Sequence, residues 1–290
     1  TRTINTMDNT ATLILGLALI FTMWGMGLSL TITDFKRILQ KPKAVFIGLV
    51  NQLILLPLIG FGLLSLIPAS PEIAVGIMLL AVCPGGPTSN LLSLLAKADT
   101  ALSVTLTAIT SIITIFTIPF ILNFALVRFA GEGQNIQLNI PETIGKMFVA
   151  VILPMAIGMI INKRNSSFAE KMVRPVRIVS VLLLVLIIVG IIISKRDVIL
   201  DYFVQAGILA LLLNVCTMLG GFISAKFLRL KSKQATTISL ESGIQNGTLA
   251  LAIAGTVLEN TSYGIAPAVY SIIMYFTGGL LVRMSIKSKI

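Results

Sequence analysis

The stretch Cys83-Pro84-Gly85-Gly86-Pro87-Thr88-Ser89-Asn90 interrupts an apolar run that extends from about residue 72 to 96. Its prolines lack the N–H that a helix interior needs, and its glycines lower the cost of leaving helical backbone. The run around it is long enough to cross about 30 Å of hydrocarbon. Unwound backbone at that depth persists only where protein or a water-filled cavity satisfies it. A second interruption, Glu241-Ser242-Gly243-Ile244-Gln245-Asn246-Gly247-Thr248, lies in a run from about 233 to 258. It has no proline but concentrates glycine and polar groups over one or two turns. Paired breaks in corresponding positions point to a transporter's midplane site.

Outward from the breaks, apolar runs recur at about 11–31, 44–67, 100–126, 143–162, 176–194, 199–228 and 265–286. With the two broken runs this makes nine expected spans. The fold class expected is all-α, a polytopic membrane protein forming a single transporter unit over 1–290. Composition agrees. Of 290 residues 56% are hydrophobic and 11% charged, with a mean hydropathy of +0.99. A soluble domain carries about 25% charged residues, so a soluble enzyme or nucleic-acid binder is excluded. Histidine is absent and the two cysteines, Cys83 and Cys216, sit in apolar runs. Neither a disulfide scaffold nor an oxidising compartment is indicated. The first apolar run is too long for the core of a secretory signal, so no cleavable signal is expected.

Net charge is +11, from 22 basic and 11 acidic residues. With the N-terminus outside, Arg2, Arg128, Lys146, Lys195 and Arg196 face outward. The remaining basic residues face inward, among them Lys163, Arg164, Lys171, Arg174 and Arg177 between the fifth and sixth spans. That asymmetry predicts an N-out, C-in arrangement, with the basic face on anionic lipid headgroups of the cell membrane. These charges read as solvated helix ends and receive no ligand role. The expected partners are the lipid bilayer and a transported solute, with no nucleic acid and no obligate protein partner.

The broken spans divide the chain into 11–126, with four spans, and 143–286, with five. Each break falls in the penultimate span of its half. A duplicated five-span unit lies inverted in the membrane, and one further N-terminal span would complete the first copy.

Acidic residues select the chemistry. Asp8, Asp34, Glu72, Asp99, Glu132, Glu142, Glu170, Asp197, Asp201 and Glu259 fall in loops or near span ends, whereas Glu241 lies well inside a span. A charge at the centre of a membrane helix costs roughly 2.5–3.5 kcal/mol on insertion scales, and no Lys or Arg sits at matching depth to pair with it. Glu241 is then a protonated structural group, a proton carrier or a cation ligand. Oxygen-bearing side chains at comparable depth (Gln52, Ser89, Asn90, Ser103, Thr107, Ser242 and Gln245) favour the cation, specifically sodium. Ser103 and Thr107 are four apart and share a helical face, although hydroxyls in membrane helices often bond back to their own backbone.

The segments Cys83–Asn90, Ala101–Thr107 and Glu241–Asn246 resemble the bile acid:sodium symporter family in its nine-helix form. The resemblance implies two inverted repeats, a panel domain and a core domain, with two broken helices crossing near mid-membrane. It implies sodium-coupled symport of an organic anion, either a bile acid or a small carboxylate, by alternating access. It further implies one Na⁺ held by Ser89, Asn90, Ser103, Thr107 and Glu241. A second Na⁺ would be held by Gln52, Glu241, Gln245 and carbonyls of Ser242 and Ile244. Gly86, Pro87, Thr88, Asn246 and Tyr275 would face the substrate. Pro87 replaces a frequent hydroxyl residue, and Tyr275 stands where bacterial relatives can have Asn. Both changes touch the substrate cavity and spare the ion ligands.

Two alternatives come from other classes. One is an efflux carrier for arsenite or a similar oxyanion using Cys83, and the other is a receptor without transport. An intramembrane enzyme is disfavoured, because the chain offers no His, no paired mid-span aspartates and no serine with an evident base. Trp24, Met23 and Met26 read as packing residues, as do Gly220-Gly221 and Gly278-Gly279 in preference to hinges.

Overall fold

The computed structural model describes residues 6–130, 138–194 and 199–287, with side chains except at 6–11, 191–192, 194 and 199–201. Arg2, Glu132, Lys195, Arg196, Asp197 and Lys289, and the side chains of Asp8 and Asp201, lie outside the described residues.

The described chain is helical throughout. It begins with α1 (Thr6–Ser29), α2 (Ile32–Gln40) and α3 (Pro42–Val50), which continues through a π-helical turn (Asn51–Leu55) into α4 (Leu56–Leu66). The first broken span follows as α5 (Pro71–Val82) and α6 (Pro87–Leu95), then the long α7 (Thr100–Phe129). Next come α8 (Ile140–Met147), a second π-helical turn (Phe148–Ile152), α9 (Leu153–Arg164), α10 (Ser166–Ser194) and α11 (Ile199–Phe227). The second broken span is α12 (Ser232–Gly243) and α13 (Gly247–Thr256). After a 3-10 turn (Thr261–Gly264), α14 (Ile265–Lys287) closes the fold.

Among the described residues, seven helical stretches are long and apolar enough to cross a membrane: Thr12–Ser29, Pro42–Leu66, Thr100–Phe129, Ile140–Arg164, Ser166–Gly190, Tyr202–Phe227 and Thr261–Lys287. The chain is a multi-pass membrane protein. The expected runs at 72–96 and 233–258 appear instead as pairs of short helices, divided where the glycines and polar residues fall. Both π-helical turns run into a Leu-Pro pair, Leu56-Pro57 and Leu153-Pro154. A proline cannot donate the ordinary helical bond, and a wide turn before it absorbs the mismatch. The first such turn carries Asn51 and Gln52, both buried.

One boundary differs from expectation in a way that matters. The span expected at 176–194 begins ten residues earlier, because the Asn165 side chain accepts the Phe168 N–H at 3.0 Å and caps the helix. Pro175 lies inside α10, and Lys171, Arg174 and Arg177 belong to the helix and not to a loop.

Packing divides the helices into neighbourhoods. Helices α1, α9 and α10 lie against one another, while α12 packs on α11, α7, α6 and α14. At one end of α7, Asp99 caps the helix by accepting the Leu102 N–H, and it pairs with Lys41 at 2.6 Å. The Asp99 N–H in turn reaches Thr237 Oγ1 on α12 at 2.9 Å. This clamp sets the register of α7 against α12. One turn further along each helix, Ser103 meets Glu241.

Candidate functional site at the crossing of the broken helices

The two breaks touch. Gly85 and Gln245 form an isolated antiparallel bridge, and the Asn246 N–H donates to the Pro84 carbonyl at 2.9 Å. Each segment thereby satisfies part of the backbone that the other exposes, which is what unwound chain at membrane depth requires. Helices α6 and α13 start at this crossing. Pro87 occupies the first turn of α6, where its missing N–H breaks no helical bond. Asn246 caps α13 by accepting the Leu249 N–H at 3.0 Å.

Beside the crossing lies a cluster built from oxygen. Glu241 Oε1 accepts from Ser103 Oγ, and Glu241 Oε2 accepts from Thr107 Oγ1 at 2.8 Å. Asn90 Oδ1 lies 2.8 Å from Ser103 Oγ and 3.3 Å from Thr107 Oγ1. Ser89 Oγ is 3.4 Å from Thr107 Oγ1 and gives its proton to the Gly86 carbonyl at 2.7 Å. The structure thus brings together Ser89, Asn90, Ser103, Thr107 and Glu241 from three helices. Their hydroxyl behaviour separates them from the rest of α7. Thr105, Thr110 and Ser111 bond carbonyls four residues back on their own helix, whereas Ser103 and Thr107 turn outward to Glu241 and Asn90.

The proton count is short. Both carboxylate oxygens and Asn90 Oδ1 are acceptors, and only the Ser103 and Thr107 hydroxyls have protons to offer them. Glu241 is buried and has no ion-pair partner among the described residues. An acceptor-rich oxygen cage with one negative charge suits a hard cation, whose ligands are oxygens. Among the described residues no three His, Cys, Asp or Glu side chains cluster as a site for a metal ion. A single carboxylate fits a monovalent ion better than a divalent one.

Gln52, from the first π-helical turn, reaches the other side of the crossing. Its Nε2 donates to Gln245 Oε1 at 2.7 Å and to the Cys83 carbonyl at 3.2 Å. Gln245 Nε2 donates to the Ser242 carbonyl at 2.9 Å and lies 3.4 Å from that of Glu241. Gln52 Oε1 and Ser242 Oγ are buried with no hydrogen-bond partner. Gln52, Ser242 and Gln245 therefore assemble here. Glu241 contributes its backbone on this side, its carboxylate being turned to the first cluster. Ile244 is buried, and its side chain lies against Gly278.

A cavity of about 60 Å³ opens between the crossing and helices α1 and α10. Gly86, Pro87, Thr88, Asn246 and Tyr275, all read from the sequence as substrate-facing, line it. Thr88 Oγ1 and Tyr275 Oη are 3.4 Å apart. Asn246 Nδ2 is buried with no partner. Cys83 does not line this cavity and is buried within the hydrophobic core, so the thiol is poorly placed for an oxyanion there. Sequence reading missed Gly85, where an added Cβ would stand 2.6 Å from Glu241 Oε2. It also missed Arg177, which was assigned to the surface and in fact lines the cavity. Gly220, Gly221 and Gly278 lie close against Leu55, Ser242 and Leu92 respectively, as expected of packing glycines, whereas nothing lies within 4 Å of the Cβ position of Gly279, which is not a packing glycine.

A family model described as the sodium bile acid symporter family matches residues 16–202, more than half of the chain. The chain belongs to this family. Among similar proteins, the uncharacterized sodium-dependent transporter YocS of Bacillus subtilis strain 168 is 32% identical over 263 residues, covering 89% of this chain and 78% of that protein. The ileal sodium/bile acid cotransporter of Oryctolagus cuniculus is 28% identical over 264 residues, covering 89% and 75%. The probable sodium/metabolite cotransporter BASS2, chloroplastic, of Oryza sativa subsp. japonica is 28% identical over 261 residues; the match covers 90% of this chain and 61% of that longer protein. Like these relatives, this member of the sodium bile acid symporter family is a membrane transporter and not an enzyme.

Proposed function

We propose that the chain is a sodium-coupled secondary active symporter of an organic anion, working by alternating access. The observation that carries this reading is the donor-poor oxygen cluster around Glu241. One Na⁺ binds to Ser89, Asn90, Ser103, Thr107 and Glu241. A second binds where Gln52, Gln245, the Glu241 backbone and carbonyls of Ser242 and Ile244 converge, and the unpartnered Gln52 Oε1 supports that assignment. Gly86, Pro87, Thr88, Asn246 and Tyr275 hold the substrate. The relatives described as sodium-dependent or sodium/metabolite cotransporters agree with this coupling.

In this proposal the chain crosses the cell membrane nine times, N-terminus out and C-terminus in, as two inverted repeats over 11–126 and 143–286. Helices α1, α8–α9 and α10 form a panel that rocks against a core made by the rest. Sodium binding draws α12 towards α6 and α7, because the ion's ligands come from all three. That movement fixes the crossing in the shape that holds substrate, which is coupling in the thermodynamic sense. A cavity of about 60 Å³ is well below the ~150 Å³ that encloses benzene. The substrate taken up without parting the walls is a small organic carboxylate, not a steroid.

Uptake in proteoliposomes tests the reading. An imposed inward sodium gradient should drive accumulation of a small carboxylate. Two Na⁺ with one monoanion move one positive charge, so an inside-negative potential adds about 2.3 kcal/mol per 100 mV. The limiting accumulation then rises about fiftyfold for each 100 mV. Uptake indifferent to potential rejects the two-ion stoichiometry, and uptake indifferent to sodium rejects the function.

Gly85 offers a second test. Replacing it with Ala puts a methyl group 2.6 Å from Glu241 Oε2. The carboxylate must shift, and sodium affinity should fall about 10- to 100-fold, the scale seen when a group that orients a metal ligand is changed. A thermal-shift titration with NaCl measures this, and an unchanged midpoint contradicts the assignment of Glu241.

A further inference from the structure

We propose that Arg177 is the charge-reading residue of the substrate cavity, binding the carboxylate of the transported acid on the wall opposite the crossing. This rests on the organic-anion reading above and adds to it the group that recognises the charge.

The position of Arg177 is the first argument. It lies on α10 one turn beyond Arg174, where the charged stretch that carries Glu170, Lys171 and Arg174 gives way to the largely apolar run from 178 to 190. Arg174, one turn earlier, is exposed, whereas Arg177 is half-buried and faces the cavity. A charged side chain turned into a mostly uncharged cavity and away from solvent is a candidate for binding a ligand of opposite charge.

Its lack of partners is the second argument. Arg177 makes no ion pair and no hydrogen bond with any described residue, and no acidic residue lines the cavity. The hydroxyls of Thr22 and Ser29 on the neighbouring wall of α1 already donate to carbonyls of their own helix. Ser180, three residues after Arg177 and on the same helical face, also lines the cavity. A planar guanidinium with an adjacent hydroxyl is suited to bidentate recognition of a carboxylate.

The far wall supplies the third argument. Asn246 is nine-tenths buried or more, lines the same cavity and has an Nδ2 without a partner. This neutral donor suits a neutral acceptor, such as the keto or hydroxyl oxygen of a small acid. The carboxylate then goes to the full charge of Arg177 and the second oxygen goes to Asn246. The substrate class is therefore a short oxo- or hydroxy-carboxylate that spans the cavity between the two walls. Sodium acts on the same molecule indirectly, by holding the Asn246 segment in place.

The test compares acids with their neutral amides. Lactate and 2-oxobutyrate, and lactamide and 2-oxobutyramide, are titrated in thermal shift against the purified full chain in saturating NaCl. The wild-type chain should prefer each acid to its amide. In Arg177→Gln the acids should bind about 10- to 100-fold more weakly, the loss of a charge-assisted contact, while the amides are unchanged. Arg177→Lys should recover part of the preference. The sodium-induced shift without organic ligand should be retained in both variants, which shows that they are folded. If Arg177→Gln keeps the wild-type preference for acid over amide, Arg177 does not read the charge and the inference fails alone. If neither acid stabilises the wild-type chain, the organic-acid reading fails together with it. Should Arg177→Gln lose even the sodium response, Arg177→Lys decides: a preserved sodium response with at least part of the preference for acid over amide supports the charge role, whereas a preserved sodium response with no such preference, or loss of the sodium response in this variant too, overturns it.

Discussion

Replacing Glu241 with Gln should abolish sodium-dependent uptake and remove the thermal stabilisation that sodium gives. The substitution preserves shape and takes away the charge. At about 4 Å and an effective dielectric constant of 20, a unit pair is worth about 4 kcal/mol, which is roughly a thousandfold in affinity. At a hundred times its dissociation constant, sodium should stabilise the wild-type chain by about 2.7 kcal/mol; in the variant this increment should vanish. The same substitution should leave sodium-free stability unchanged or improved, since an unpaired buried charge is a liability without its ion. Ser103 and Thr107 still find an acceptor in Asn90 Oδ1. Thermal unfolding with and without NaCl, alongside proteoliposome flux, checks both halves. A sodium shift of wild-type size in Glu241→Gln refutes the ion site.

The second large effect lies away from the site. Gly27 and Gly158 face each other where α1 crosses α9. A Cβ on Gly27 would stand 2.1 Å from the Met155 carbonyl oxygen, and one on Gly158 would stand 2.4 Å from that of Trp24 and 2.7 Å from the Leu28 nitrogen. The obstructing atoms are backbone, so no rotamer change relieves the clash and the helices must separate. Small residues in such positions are what allow membrane helices to approach closely. Gly158→Leu should cost about 3 kcal/mol, the upper part of the overpacking range. At roughly 2–4 °C per kcal/mol that is about 6–12 °C in Tm. Gly207 is the control: nothing lies within 4 Å of its missing Cβ, and Gly207→Ala should leave Tm unchanged or slightly raised. Equal Tm values for the two variants would show that the α1–α9 contact is looser than described.

Much of the proposed ion site was legible because its chemistry is unusual for its setting. A lone acid within a span stands out in a chain with so few charges. Ser103 and Thr107 shared a helical face and followed a break, which made them candidates ahead of the other hydroxyls of α7. What spacing left open was whether they would bond backward or sideways. The Asp99–Thr237 clamp decides this, because it holds α7 and α12 so that Ser103 falls opposite Glu241. Gln52 became accessible to the crossing through the π-helical turn ahead of Pro57, a bend that the Leu-Pro pair announced but whose direction it did not.

Arg177 shows the opposite case. Beside Arg174 and Pro175 it reads as the flank of a span, and a boundary set by hydropathy places it outside. The cap at Asn165 extends the helix past all three residues, and the rotation of α10 against α1 turns this one arginine inward. Gly85 was likewise invisible as a neighbour of the Glu241 carboxylate, since its contribution is an absent side chain.

The sequence by itself determined that this protein lives in a membrane, where its helices break and which acid sits deep inside. Those are properties of hydropathy and backbone chemistry along one dimension of the chain. The tertiary structure alone decided which side chains meet across helices more than a hundred residues apart. That outcome depends on the register and rotation of packed helices, quantities that contacts at both ends of each helix fix together and that no local stretch of residues contains.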